Sequence, residues 1–289
     1  MISSKIGITG STGFIGKYLL KCLESDGHAV RPLDDYVHPR TPISVKRAYP
    51  ETLDWVLHLG AAMSISAAFD DPRGTYRQNV ESTQAALDIA LNCRARFLYM
   101  SSYVYGHPEY LPIDESHPVR ALNPYMESKL AGEDICRRFA DENGLDVIIL
   151  RGFTFYGPGQ TGPQLIASVL ESIEHNKPVV VKDPSPQRDY LFIDDLGRLI
   201  DRVIISDKPG VHVYNIGGGK PYHNLDVARM IVTAAGNPVR IEVVGEPRQN
   251  DVTVCYAAID KARDDFGWHP ETSLEDGIQA CLKVGLSAG

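Results

Sequence analysis

The sequence predicts an α/β protein, a doubly wound parallel sheet with helices on both faces and a smaller, interleaved C-terminal lobe. Three observations predict it. Short apolar runs alternate with amphipathic stretches through the first half, a glycine-rich turn joins the first run to the first stretch, and beyond residue 150 the texture changes to Gly/Pro-rich turns.

The alternation places strands at 5–9, 29–33, 55–59, 95–100 and 146–150, and helices at 14–26, 74–91 and 124–143. This rhythm is what a parallel sheet with crossover helices requires. Residues 35–53, DYVHPRTPISVKRAYPETL, break it: three prolines and little length leave no room for a full helix-strand-helix, so one crossover is expected to be abbreviated. After 150, YGPGQTGP, KDPSPQRDY, IGGGKP and GEPRQND separate short elements. The expected division is a cofactor domain of 1–160 plus about 187–216, and a lobe of about 161–186 plus 217–289.

Bulk properties bound the function. The chain has 289 residues, is 43% hydrophobic and 23% charged, and carries a formal charge of -8. That balance argues against a nucleic-acid or anionic-membrane surface, so an anionic ligand must be met by local positive charge. The five cysteines are scattered without CxxC spacing, which suggests neither a disulfide framework nor a zinc site, and no metal is expected. No stretch approaches the roughly 18 apolar residues of a membrane span, and the N-terminus has no signal-peptide pattern, so a soluble cytoplasmic protein is expected.

The glycine-rich turn carries the first chemical signal. In KIGITGSTGFIGKYLL, Gly10, Gly13 and Gly16 stand at GxxGxxG spacing between a strand and a helix that begins with Phe14 and Ile15. Small residues there let backbone N–H groups and the helix N-terminus approach a pyrophosphate. Asp34 closes the predicted second strand, 24 residues after Gly10, where a carboxylate accepts ribose hydroxyls and repels a 2′-phosphate. A Rossmann-type domain binding NAD in preference to NADP is expected. Arg31 reads as a surface residue of that strand.

The second signal is Tyr125 and Lys129, four apart in YMESK on a helix beginning near Pro124. Both project from one face. A neighbouring ammonium and a positive nicotinamide ring favour phenolate, so Tyr125 is expected to act as a base toward a sugar or alcohol hydroxyl. FLYMSSYVYG supplies Ser101 and Ser102 at the carboxyl end of a buried-looking strand, where a hydroxyl can bond the reacting oxygen.

With these residues stand HLGAA (58–62), NVEST (79–83), RGFTFYGPGQ (151–160), RDYLFIDD (188–195), YNIGGG (214–219) and DKARDDFGWHP (260–270). Together they resemble the extended short-chain dehydrogenase/reductases of the NAD-dependent epimerase/dehydratase family, which act on nucleotide sugars. The resemblance implies that Ser102 is the catalytic hydroxyl beside Tyr125 and Lys129, with Ser101 an alternative because the family's segment has one more residue before VYG. It implies that His58, Leu59, Gly60 and Ala61 lie along the cofactor, and that Asn79 organises the active-site helix. It also implies that Arg188 and Arg248 bind a nucleotide diphosphate, a role that guanidinium forks suit. Ser101, Tyr103 and Thr154 complete the expected substrate contacts, and a homodimer paired through the helices at 74–91 and 124–143 is expected. Asp194 or Asp195 reads as a helix cap and Trp268 as a core residue.

The chain departs from the pattern at Thr154, where the family has Asn, at Gly60, where it has Ala, and in 35–53, which lacks an acid that contacts the adenine. It departs again at Tyr103, where 4,6-dehydratases carry an Asp-Glu pair. Elimination is therefore disfavoured. The leading expectation is a nucleotide-sugar 4-epimerase acting through a transient 4-keto sugar. A 4-ketoreductase or dehydrogenase with exchangeable cofactor, and a non-catalytic NAD-sensing protein, are the alternatives.

Overall fold

The computed structural model describes residues 3–37, 51–61, 65–236, 239–245 and 251–285. They fall into two compact units. The first takes in 1–106, 118–152 and 199–214, the second 107–117, 153–198 and 215–289.

The chain begins with β1 (Lys5–Thr9), α1 (Phe14–Ser25), β2 (Ala29–Pro32) and a short α2 (Asp34–Val37). It continues with β3 (Trp55–His58), α3 (Ile65–Asp70), α4 (Pro72–Cys93), β4 (Arg96–Met100), α5 (Pro124–Asn143) and β5 (Val147–Gly152). All four residues of β3 and all six of β5 are buried, as strands covered on both faces must be. In α1 the buried Gly16, Leu19 and Leu23 mark the stripe that helical periodicity predicts.

After β5 come β6 (Thr154–Tyr156), α6 (Leu165–Glu174), β7 (Val179–Val181), β8 (Gln187–Phe192), α7 (Ile193–Ile205) and β9 (Val211–Ile216). The chain ends with β10 (Pro221–His223), α8 (Asn224–Ala235), β11 (Ile241–Val243), α9 (Asp260–Phe266) and α10 (Leu274–Gly285).

The main sheet has six strands in the order β2-β1-β3-β4-β5-β9, and the pairs from β2 to β5 are parallel. Chain order reverses at β1, which lies between β2 and β3. In such sheets ligands gather outside the carboxyl ends of the strands at the reversal, which is where Gly10 and Leu59 follow their strands. The abbreviated crossover is named only in part, since 38–50 lie outside the described residues.

Helices α4 and α5 pack over the sheet around Leu87, Phe97, Tyr99, Cys136, Val147 and Ile149. Local sequence sets the start of α5. The Asn123 side chain accepts from Met126 N at 2.9 Å, Pro124 follows in the first turn, and Gly144 ends the helix in the left-handed conformation. Midway, Gly132 lies against Tyr99, and a Cβ there would strike the phenol. The helix therefore rests on β4 more closely than alanine allows.

The second unit contains a three-stranded sheet, β10-β8-β6, a parallel pair, β11-β7, and a core of Tyr156, Ile166, Val227, Ile231 and Ile278 among others. Residues 107–117, 153–160, 187–198 and 215–216, expected in the cofactor domain, lie here: β6 pairs with β8, and Ile113 bridges to Ala257. Trp268 is buried and its indole donates to Asp195 O at 2.9 Å. Asp195 does not cap α7 but accepts from Glu271 N at 2.7 Å and Thr272 N at 3.2 Å. Among the described residues no helix is long and apolar enough to cross a membrane.

Candidate active site

The turn after β1 is built for close backbone approach. Gly10 has φ +71°, and a Cβ there would come within 2.7 Å of Gly60 N. A Cβ on Gly16 would strike Gly10 O. Gly13 is the N-cap of α1 and makes no side-chain cap, so the opening N–H groups at Phe14, Ile15 and Gly16 are left for an anion. This cradle fits the pyrophosphate of a dinucleotide. At Gly60 an added Cβ would meet Thr9 Oγ1 at 3.2 Å and Gly10 N at 3.3 Å, so the departure from alanine relieves a tight contact between the turn and the end of β3. Ala61 follows, half-buried, and Leu59 is buried.

Asp34 is placed differently from the sequence reading. It opens α2 instead of closing β2, and its carboxylate accepts from Gly10 N at 2.7 Å, Ser11 N at 3.2 Å and the Ser11 hydroxyl. The acid braces the glycine turn from below. A ribose would compete for oxygens that the turn already uses.

His58 also takes a role the motif did not disclose. It is buried, stacked near Phe97 and Tyr99, and bonded through Nδ1 to Thr9 Oγ1 at 2.7 Å and through Nε2 to Thr83 Oγ1 at 3.1 Å. Burial, and then the charge of Lys129, push its pKa down to about 3, so the ring is neutral. Thr83 donates to Asn79 O at 2.7 Å, which leaves its oxygen to accept from His58 Nε2–H. Asn79 Nδ2 donates to Ser128 Oγ at 2.8 Å, and Ser128 to Tyr125 O at 2.7 Å. One polar chain thus runs from the residue before Gly10 to the first turn of α5. Asn79 thereby links α4 to α5.

At the carboxyl end of β4 the two serines part. Ser102 is half-buried, and burial raises the Tyr125 pKa while the Ser102 hydroxyl works the other way. Ser101 is buried and its Oγ donates to Glu133 at 2.7 Å. Tyr103, half-buried, donates its hydroxyl to Gly106 O. Lys129 is buried with its ammonium 4.6 Å from the centroid of the Tyr99 ring. Burial brings its pKa down to about 8, with Cys136 and Glu133 working the other way. The expected fall in the Tyr125 pKa is not found: burial raises it, Ser102 is the opposing influence, and Lys129 is not among the causes.

In the second unit Thr154 opens β6 and is half-buried. Arg188 donates to Asp251 at 2.7 Å and to Val252 O at 2.6 Å, so its fork is engaged within the protein. Its neighbour Asp189, which the sequence reading passed over, is buried and accepts from Gly218 N, Gly219 N at 3.1 Å and Ala257 N at 2.9 Å. Arg248 lies outside the described residues. Glu133 and Arg151 were also missed. An arginine continuing the apolar run VIIL, and a glutamate one turn beyond Lys129, were the available signals.

A glycine cradle at a sheet reversal, with serine, tyrosine and lysine gathered at β4 and α5, defines a dinucleotide-dependent enzyme of the short-chain dehydrogenase/reductase class. The family model described as NAD dependent epimerase/dehydratase family matches residues 6–217, and the chain belongs to that family. It is 30% identical over 299 aligned positions to the GDP-6-deoxy-D-mannose reductase of Pseudomonas aeruginosa, covering 97% of each chain. Its fold is similar to that of RMD from Pseudomonas aeruginosa complexed with NADPH, with TM-score 0.89, 27% identity and coverage of 99% of this chain and 100% of the other. It is similar too to the UDP-glucose 4-epimerase of Bifidobacterium longum in complex with NAD+ and UDP, with TM-score 0.86, 26% identity and 98% coverage of each. Relatives of both kinds act on nucleotide sugars by name. The chain is an NAD-dependent enzyme of this group.

Proposed function

We propose that the protein catalyses hydride transfer at C4 of a nucleotide-diphosphate hexose, and that its reaction is 4-epimerisation. The observation that supports this most is the placement of Ser102 just past the carboxyl end of β4, with Tyr125 in the first turn of α5 and Lys129 one turn further along it. Ser102 orients the sugar hydroxyl and Tyr125 takes its proton, with the positive nicotinamide ring of bound NAD+ as the charge that would favour phenolate. NAD+ bound there would supply reversible hydride acceptance. Gly10, Gly13, Gly16 and the first N–H groups of α1 would hold its pyrophosphate, and the negative charge of Asp34 beside that turn favours NAD over a 2′-phosphorylated dinucleotide. Proton return from Tyr125 to the oxygen, after the 4-keto sugar has presented its other face, completes epimerisation.

Water elimination is disfavoured on two counts. SSYVYG (101–106) contains no carboxylate. Glu133, bonded to Ser101, is saturated by Arg151 and Arg137 and has no lone pair to serve as a base. A second reading, reduction of a 4-keto sugar with exchangeable cofactor, is favoured by the 30% identity to a GDP-6-deoxy-D-mannose reductase. Arg188 and Arg248 as diphosphate ligands, a homodimer and a cytoplasmic location belong to the proposal. For Arg188 the role requires a fork shared with Asp251.

Incubation with UDP-, GDP- and dTDP-hexoses and their 4-keto forms tests it. The proposal expects two C4 epimers to interconvert without net NADH or NADPH change. Consumption of one reduced cofactor per sugar favours the reductase, and no turnover of any sugar contradicts both.

A further inference from the structure

The segment that carries Ser102 is fastened at both ends to one buried ion pair. Glu133 is fully buried on α5, one turn past Lys129. Each of its oxygens takes two donors: Oε1 from Ser101 Oγ at 2.7 Å and Arg151 Nε at 2.9 Å, Oε2 from Arg151 Nη2 at 2.7 Å and Arg137 Nη2 at 2.9 Å. Arg151, near the end of β5, uses its remaining arm on the Tyr105 hydroxyl at 3.0 Å and lies 5.0 Å from that ring's centroid. Ser101 is thereby held to the carboxylate and Tyr105 to the guanidinium of one ion pair, while Ser102 and Tyr103 between them stay half-buried.

Stability does not account for a charged pair at this depth. Apolar side chains of similar volume stabilise a core as well or better. What an apolar pair lacks is direction, since a carboxylate with four donors and a planar guanidinium fix the angles of everything bonded to them. Ser101 is held inward on Glu133 and buried, while Ser102 beside it is half-buried. The same pair holds α5, and with it Tyr125.

We propose that the Glu133–Arg151 pair is a positioning device for the reacting hydroxyl, setting Ser102 against Tyr125 by clamping Ser101 and Tyr105. This rests on the reading of Ser102 and Tyr125 as the reacting pair. Neither Glu133 nor Arg151 touches substrate in this account.

The test uses the NAD+-loaded full chain and the nucleotide hexose that turns over best, with S101A, Y105F, S101T, E133Q, S102A and Y125F. S101A and Y105F should each lower kcat about tenfold or more, as small misplacements of reacting groups do. KM and the unfolding midpoint should stay near wild type. The phenolate transition of Tyr125, read by absorbance against Y125F, should move to higher pH as the Ser102 hydroxyl leaves its place and its opposition to burial is lost. S101T should restore both, and S101A in the E133Q background should add no further loss. Unchanged kcat and phenolate titration in S101A and Y105F would overturn the clamp, as would a rise in KM alone, which marks Ser101 as a substrate contact. If S102A and Y125F are also silent, the reacting pair itself is wrong. If they abolish turnover while S101A and Y105F do not, only the clamp fails.

Discussion

Two carboxylates, Glu133 in the first unit and Asp189 in the second, are both wholly buried, yet they sit in opposite electrostatic settings. Glu133 faces two guanidinium groups and a hydroxyl, which hold its pKa below the usual value although burial opposes the charge. Asp189 has only backbone N–H donors from Gly218, Gly219 and Ala257, and burial raises its pKa to about 6. Dipoles alone do not compensate lost hydration as a counter-ion does. The first arrangement keeps one charge state across the physiological range and suits a site that must hold fixed geometry. The second fastens a turn and is free to titrate.

The largest break in that comparison comes from removing Glu133. E133A leaves the Arg151 guanidinium buried without an anion and should destabilise the protein by about 3–5 kcal/mol in urea unfolding. Replacing both partners, E133L with R151M, should recover most of that stability without recovering turnover. A double variant as unstable as E133A would mean that the pair serves the fold itself.

Lys129 sharpens the contrast next. Its pKa falls from 10.5 to about 8, so the folded state binds this proton less tightly than the unfolded one. Wild-type stability from this group therefore rises as pH climbs from about 8 to 10.5, and below that window the buried charge is a burden. K129M should be the more stable protein at pH 7, by at most about 3 kcal/mol. The gap should close through the same window in thermal unfolding.

Asp189 gives the smallest effect and the opposite slope. Its folded pKa lies above 3.8, so the folded state takes up the proton first, and stability from this group falls as pH rises from 3.8 to about 6. Carboxyl carbon NMR should show Asp189 titrating near 6 while Glu133 stays ionised to below the ordinary carboxylate range. The reverse assignment would undo the comparison.

Much of this architecture is legible in the sequence because its signals are local. Gly10, Gly13 and Gly16 are tied to a strand and a helix on either side, and α5 is framed by Asn123, Pro124 and Gly144. Tyr125 and Lys129 needed only helical spacing. Long-range partners are where residue type misleads. Asp34 has the chemistry of a ribose acceptor, but its oxygens are on Gly10 and Ser11. Arg188 has the chemistry of a phosphate ligand, but Asp251 holds it, while the acid next to it organises the glycine turn. Glu133 is spaced like any solvated helix residue, and only the arrival of Arg151 from β5 makes it an interior ion pair.

The central claim is that Tyr125, set by Ser102 beside Lys129, moves the proton that accompanies hydride transfer. Y125F, loaded with NAD+ and given the nucleotide hexose that wild type turns over, tests it most directly. Its kcat should be lower by about 10²–10⁴ with cofactor affinity and fold intact. Turnover by Y125F at the wild-type rate would contradict it.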